Sequence, residues 1–300
     1  MTPPNFHAAA DAHRWRAALF MLAAVGLFAL MDAGLKLLTA HYPPMQISAI
    51  RGGASLPFVL VWVLSTVSAR SLFRVRWPLH LLRAVLGIMM MAPFVYALRT
   101  LPLSTAYTIF FIAPLLITAL SVPILGERVG PRRWAAIAVG FLGVMVVLRP
   151  TGEGVASLTG LAVLLAAFGY AVSAITVRVL ARTDSSQAIV VWLLASMALG
   201  AGLLALPQWV PIRAEDLWLI AGIGVAGALG QYTITEAFRR GEASLIAPLE
   251  YSALLWGVLL DFSLWNVLPD AMTWVGAAII VLSGLYLLRR ERVHLEAGHS

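Results

Sequence analysis

The chain has no cysteine, and only 12% of its 300 residues are charged. The first absence excludes disulfide frameworks, thiol nucleophiles and cysteine-based zinc sites. The second excludes a water-soluble surface, because soluble domains carry about 25% charged residues. Histidine is sparse and poorly placed for chemistry: His7, His13, His41, His80, His294 and His299 all avoid the middles of apolar runs. No phosphate-cradling loop, nucleophile elbow or metal-ligand cluster is written in the sequence. No segment between the apolar runs is long enough to hold an ATP-binding domain. No cofactor is therefore expected, and energy for any work would come from gradients or a partner.

What is abundant is apolar surface. Hydrophobic residues make up 61% of the chain and the mean hydropathy is +0.88, against about 45–50% apolar residues in soluble domains. Ten apolar runs can be marked: Trp15–Leu38, Met45–Ala69, Leu79–Leu98, Leu103–Leu125, Trp134–Leu148, Leu158–Leu180, Gln187–Leu206, Leu217–Phe238, Ala243–Trp265 and Met272–Leu288. A helix that crosses a bilayer needs about 20 such residues. Backbone groups in hydrocarbon must be satisfied within the segment, so the runs predict helices, and their length and weak alternation argue against a barrel. The first run is too long for a signal-peptide core and predicts a retained first helix.

The formal charge is +7, but the basic residues stand in small groups between apolar runs. They form no patch of the kind nucleic acid requires. With the N-terminus in the cytoplasm, inside segments carry Arg14, Arg16, Arg70, Arg74, Arg76, Arg83, Arg128, Arg132, Arg133, Arg178, Arg182, Arg239, Arg240, Arg289, Arg290 and Arg292. Outside segments carry only Lys36, Arg99, Arg149 and Arg213. This asymmetry predicts cytoplasmic termini.

A repeat is also legible. Shifted by 140 residues, Ala97, Arg99, Ser104, Trp134, Ala138, Leu142 and Arg149 fall on Ala237, Arg239, Ser244, Trp274, Ala278, Leu282 and Arg289. At a shift of 142, Phe28, Ala29 and Lys36 fall on Tyr170, Ala171 and Arg178. Five runs per repeat is an odd number, so the second copy would enter from the opposite side. Inverted repeats of this kind mark secondary transporters with a site near the midplane. The fold class expected is an all-α membrane protein of ten transmembrane helices in two inverted five-helix repeats. Its parts would be a cytoplasmic tail (1–14), a first unit (15–150), a second unit (151–290) and a cytoplasmic C-terminal tail (291–300).

The segment Ala113-Pro114-Leu115-Leu116, followed by Leu125-Gly126-Glu127-Arg128 and then Trp134, Ala138, Gly140 and Gly143, resembles the EamA repeat of the drug/metabolite transporter superfamily. The second copy is looser: Ala247-Pro248-Leu249-Glu250, Trp265-Asn266, Trp274 and Gly276. It carries Asn266-Val267 where the first carries Gly126-Glu127. The whole chain is similar to YddG-type exporters of aromatic and other amino acids. The resemblance implies a ten-helix basket in the bacterial inner membrane, a central cavity lined by both halves, and export from the cytoplasm.

Ionisable residues within apolar runs are candidates for function. Asp32 and Lys36, and likewise Glu236 and Arg240, are spaced to pair within one helix, an architectural reading. Glu127, beside Arg128 and Arg132, is also read as architectural. Arg51 and Glu250 have no such neighbour; Arg51 lies at the depth of Asp32 and either bridges to it or serves a ligand. Glu250, Leu254, Gly257 and Asp261 share one helical face, read as a solvated wall ending in carboxylates. With Tyr107, Phe111, Tyr251, Trp256 and Gln231, these residues offer acceptors for an ammonium, a donor for a carboxylate and aromatic walls. Pro114 and Pro248 are candidate hinges. The expected function is a secondary exporter of amino acids or similar small metabolites, not an enzyme, whose partners are a small-molecule substrate and the lipid bilayer. Alternatives are a carrier of another solute (a drug, nucleotide sugar or sugar phosphate), a membrane-embedded enzyme, and a channel.

Overall fold

The structure is a computed structural model that describes residues 5–126, 129–149, 158–240 and 247–297. Among these residues every regular element is helical. The helices are α1 (Asn5–Leu38), α2 (Pro44–Thr66), α3 (Trp77–Leu98), α4 (Leu103–Phe110), α5 (Ala113–Leu125), α6 (Pro131–Leu148), α7 (Leu158–Leu180), α8 (Ser186–Ala205), α9 (Leu217–Arg240), α10 (Ala253–Trp265) and α11 (Ala271–Ala297). Eight apolar runs among the described residues are long enough to cross a membrane, and Ala271–Leu287 adds a shorter apolar helix.

Local sequence sets the helix ends. Pro44 and Pro131 open α2 and α6, where the missing N–H is not needed. Gly126 closes α5 at φ 70° and Asn266 closes α10 at φ 54°. Left-handed caps of this kind suit glycine best and asparagine next. The departure of the second copy from the Gly-Glu pattern therefore keeps the cap geometry. Glu127 itself lies outside the described residues.

The fourth apolar run is not one helix. Pro114 cannot donate to the carbonyl four residues earlier and its ring crowds that turn. The ladder slips there: the Ile112 N–H reaches Ile109 O (3.3 Å), and regular bonding resumes with Leu116 N to Ile112 O (3.0 Å). The described part of the ninth run, from Ala247, is likewise not one α-helix. A 3-10 segment, Ala247–Ser252, contains Pro248 and precedes α10.

Helix α1 packs on α9, α3 on α7, α2 on α8 and α9, α6 on α11, and α4 on α10 and α7. The deepest core is drawn from the broken run, with Leu103, Ile109, Ile112 and Leu115 fully buried. Large apolar side chains such as Val61, Leu199, Leu203 and Trp218 point outward. Lipid can solvate such a surface and water cannot.

Two polar braces tie the helix ends. In the turn after α1, the Tyr42 hydroxyl donates to Asp216 (2.6 Å) and accepts the Arg213 N–H (3.0 Å). Gln46 exchanges two bonds with the Val210 backbone (2.6 and 2.9 Å). At the opposite end, in the turn after α7, Asp184 accepts the Arg76 N–H (3.0 Å) and the Thr183 hydroxyl (2.7 Å), and bonds His80 Nε2 (2.9 Å). Arg83, counted from sequence among the loop cations, is instead buried in α3, donating to Ile189 O (2.8 Å).

Candidate functional site

The two broken runs bring the candidate aromatics together. Phe111, in the turn between α4 and α5, meets Tyr251 edge to face with ring centroids 5.0 Å apart. Phe94 of α3 stacks on Tyr107 (6.3 Å) and meets Phe110 (5.7 Å), which in turn touches Tyr170 of α7 (5.4 Å). Glu250 lies within electrostatic reach of both Tyr170 and Tyr251. No ion pair to Glu250 is formed among the described residues. A methyl group at Gly284 would collide with the Tyr251 hydroxyl, so glycine there lets the ring seat against α11. That hydroxyl is buried with no hydrogen-bond partner among the described residues, as is the Ser252 hydroxyl beside it.

A second polar group lies nearer the turn after α1. The Tyr107 hydroxyl donates to Asp32 (2.9 Å), and Arg51 faces Asp32 electrostatically without closing a salt bridge. The Arg51 Nη1 rests on the Met197 sulfur (3.7 Å), and its Nε is buried without a partner among the described residues. Tyr107 thus links the aromatic belt to the Asp32–Arg51 pair.

Other candidates sit elsewhere. Asp261 is fully buried, and its two oxygens accept the Leu103 N–H (2.9 Å), the Ser104 N–H (2.8 Å) and the Ser104 hydroxyl (2.6 Å). It caps the start of α4 and is not a solvated wall. Lys36 turns from Asp32 to the Leu101 carbonyl (2.7 Å) and to Asp261 (3.7 Å). Glu236 and Arg240 do pair within α9 (2.8 Å). Trp256 packs against Gly26 of α1, with Met21 and Val25 nearby. Gln231 follows Gly230, whose face is covered by Phe28. Tyr232 turns outward against Trp62. Pro114 and Pro248 stand at the two breaks. Phe94 and Tyr170 escaped the sequence reading as site residues. The signals available were a tyrosine in mid-run and an aromatic directly after Pro93. Among the described residues no cluster of metal-ligating side chains occurs.

A helical, lipid-faced protein with broken helices meeting at its centre has the form of a membrane carrier. A model of the EamA-like transporter family matches residues 15–149 and again 158–289. A riboflavin transporter of Vibrio cholerae serotype O1 is 30% identical over 283 residues, 93% of this chain and 95% of the relative. A pseudopaline exporter of Pseudomonas aeruginosa is 27% identical over 270 residues, 88% and 93% of the two chains. A crystal structure of a protein superposes with a TM-score of 0.65 at 22% identity, covering 91% of this chain and 96% of the other, a likeness of fold. The chain belongs to the EamA-like transporter family of the drug/metabolite transporter superfamily. It is an integral multi-pass membrane transporter and not an enzyme.

Proposed function

We propose that this transporter exports amino acids, aromatic ones among them, across the bacterial inner membrane by alternating access. The two moving units are inverted five-helix repeats, residues 15–150 and 151–290, with both termini in the cytoplasm. The observation that carries this reading is the Phe111–Tyr251 contact. These residues are related by the 140-residue shift, so their meeting suits a pseudo-twofold axis through the centre of the molecule. The same shift relates the starts of α5 and α10, Ala113 and Ala253, and their left-handed caps, Gly126 and Asn266. It also turns the packing of α1 on α9 into that of α7 on α3. Broken helices at matching places in two repeats point to the binding site.

In this reading Glu250 receives the substrate ammonium and Arg51 the carboxylate. Phe111, Tyr251, Tyr107 and Tyr170 enclose the side chain. A solute with charged ends and a flat body fits an aromatic belt lying between an acid and a base. In this reading export draws on a gradient, of protons or of the solute itself.

The test is counterflow of labelled phenylalanine in proteoliposomes. The native protein should show saturable exchange, and Glu250→Ala should abolish it while eluting as a folded species. Normal exchange by Glu250→Ala removes Glu250 from the site. A second reading, a flat heteroaromatic solute of the riboflavin type, is favoured by the six aromatic rings and by the Vibrio relative. Riboflavin counterflow without amino-acid counterflow would replace the first reading with this one.

A further inference from the structure

The residues Asp261 and Lys36 do not belong to the aromatic belt, yet with the start of α4 they form a buried and heavily bonded polar cluster. Asp261 reaches from α10 in the second half to the start of α4 in the first. It holds two consecutive backbone N–H groups and the Ser104 hydroxyl at 2.6 to 2.9 Å. These are orphan donors of a helix start, here satisfied by a carboxylate from another helix. Lys36 of α1 completes the cluster from a third side, donating to the Leu101 carbonyl (2.7 Å), standing 3.7 Å from Asp261 and lying over the Trp265 ring at 4.6 Å. Gly257, one turn before Asp261, lets α10 approach this closely: a Cβ there would lie 2.9 Å from the Tyr107 ring and 3.2 Å from the Ser104 backbone.

The cluster lies where α1, α4 and α10 meet. Helix α1 packs on α9 and α10, while α4 packs chiefly on α10 and next on α7. Its position is the outer end of the site in the proposed orientation, one turn of α4 beyond Tyr107. The 140-residue shift carries Asp261 to Ser121 and Gly257 to Ile117. The Ser121 hydroxyl bonds back to the Thr118 carbonyl of its own helix (2.9 Å). A carboxylate clasp is therefore present at Asp261 and is not repeated at its counterpart.

Resting on the alternating-access reading above, we infer that Asp261, Lys36 and the start of α4 form the latch of the outer gate. Access from outside requires α4 to leave Asp261. Asp261 and Lys36 act as positioning residues: they hold α4, which carries Tyr107, in the closed arrangement and need not touch substrate. A buried charge that loses its partner is strongly disfavoured, so the latch biases the protein toward the outward-closed state.

Thiol accessibility tests this without knowledge of the solute. The chain has no cysteine, so Thr105→Cys, at a position 7% exposed beside the latch, supplies a single reporter. Right-side-out vesicles are treated with a membrane-impermeant maleimide. Labelling should be slow in the otherwise native chain. It should rise by about tenfold or more when Asp261→Asn or Lys36→Met is added, the shift expected from losing one charge-assisted hydrogen bond. Lys36→Met leaves the α4 cap in place and carries the test alone if Asp261→Asn does not fold. Unchanged labelling in folded Lys36→Met overturns the latch, as does faster labelling only in inverted vesicles. Loss of amino-acid counterflow in the native chain, with faster labelling in the variants, would sink the substrate reading and leave the latch supported.

Discussion

Around Tyr42 the helix ends are tied by a phenol, whereas around Asp184 they are tied by a carboxylate against a histidine. The two residues stand 142 positions apart, the offset that relates Phe28 to Tyr170. Each belongs to the turn between a first and second helix, and each is buried against the start of a helix from elsewhere in the chain. The geometry is kept and the chemistry is not. A turn that must be held against another helix start needs a buried acceptor for backbone N–H groups, and either a hydroxyl or a carboxylate serves.

That difference makes predictions that rank by size. Asp184→Ala takes the shared acceptor from the Arg76 N–H and from buried His80 and should cost about 2–3 kcal/mol. A thermal melt in detergent would read this as a clear loss of stability, and an unchanged melt would remove Asp184 from the brace. Tyr42→Phe keeps the ring and loses one hydrogen bond to a carboxylate and one from a backbone N–H. It should cost about 1–2 kcal/mol, visibly less than Asp184→Ala in the same melt.

Acid and alkali should separate the two ends. Burial pushes the Asp184 carboxyl up, but bonds from Thr183, the Arg76 N–H and His80 outweigh it and hold the group below its usual value of 3.8. Its stabilisation is complete above about pH 4 and is lost as the pH falls through the folded value. Burial, helped by the neighbouring Asp216 carboxylate, pushes the Tyr42 phenol above its usual value of 10.0 against the opposing Arg213 N–H. Its stabilisation is present below about pH 10 and fades as the pH rises past the folded value. Asp184→Asn should flatten the acid limb of stability against pH, and Tyr42→Phe the alkaline limb. The smallest effect belongs to Glu215→Gln, which removes an exposed pair with Arg213 beside the Tyr42 brace. Exposed pairs contribute little, so the melt should move by less than about 0.5 kcal/mol.

Hydropathy and the positions of basic residues were enough to find the helices, because a bilayer admits few other backbones. The breaks were harder to see. The fourth run carries no charged residue, and Pro114 marks where its hydrogen-bond ladder slips. Side-chain pairing within the interior was the least legible. Spacing along one helix suggested Asp32 with Lys36, yet Lys36 is drawn to the other end of α10 by Asp261 and the Leu101 carbonyl. Such a partner is fixed by how helices cross, which no spacing along one helix records. The shared face of Glu250 and Asp261 was readable as a face, but a 3-10 turn ending at Ser252 separates the two environments. Asn266 shows the reverse case: a sequence departure that the backbone absorbs by adopting the same cap as Gly126.

The most direct test of two head-to-tail units is the sidedness of two loops. Single cysteines at Phe73 and Ile212, both exposed, would be labelled with an impermeant reagent in intact cells and in inverted vesicles. With inverted units, Ile212→Cys reacts from the cell exterior and Phe73→Cys only from the cytoplasmic face. Labelling of both from one face would contradict the inverted arrangement, and with it the placing of a shared central site.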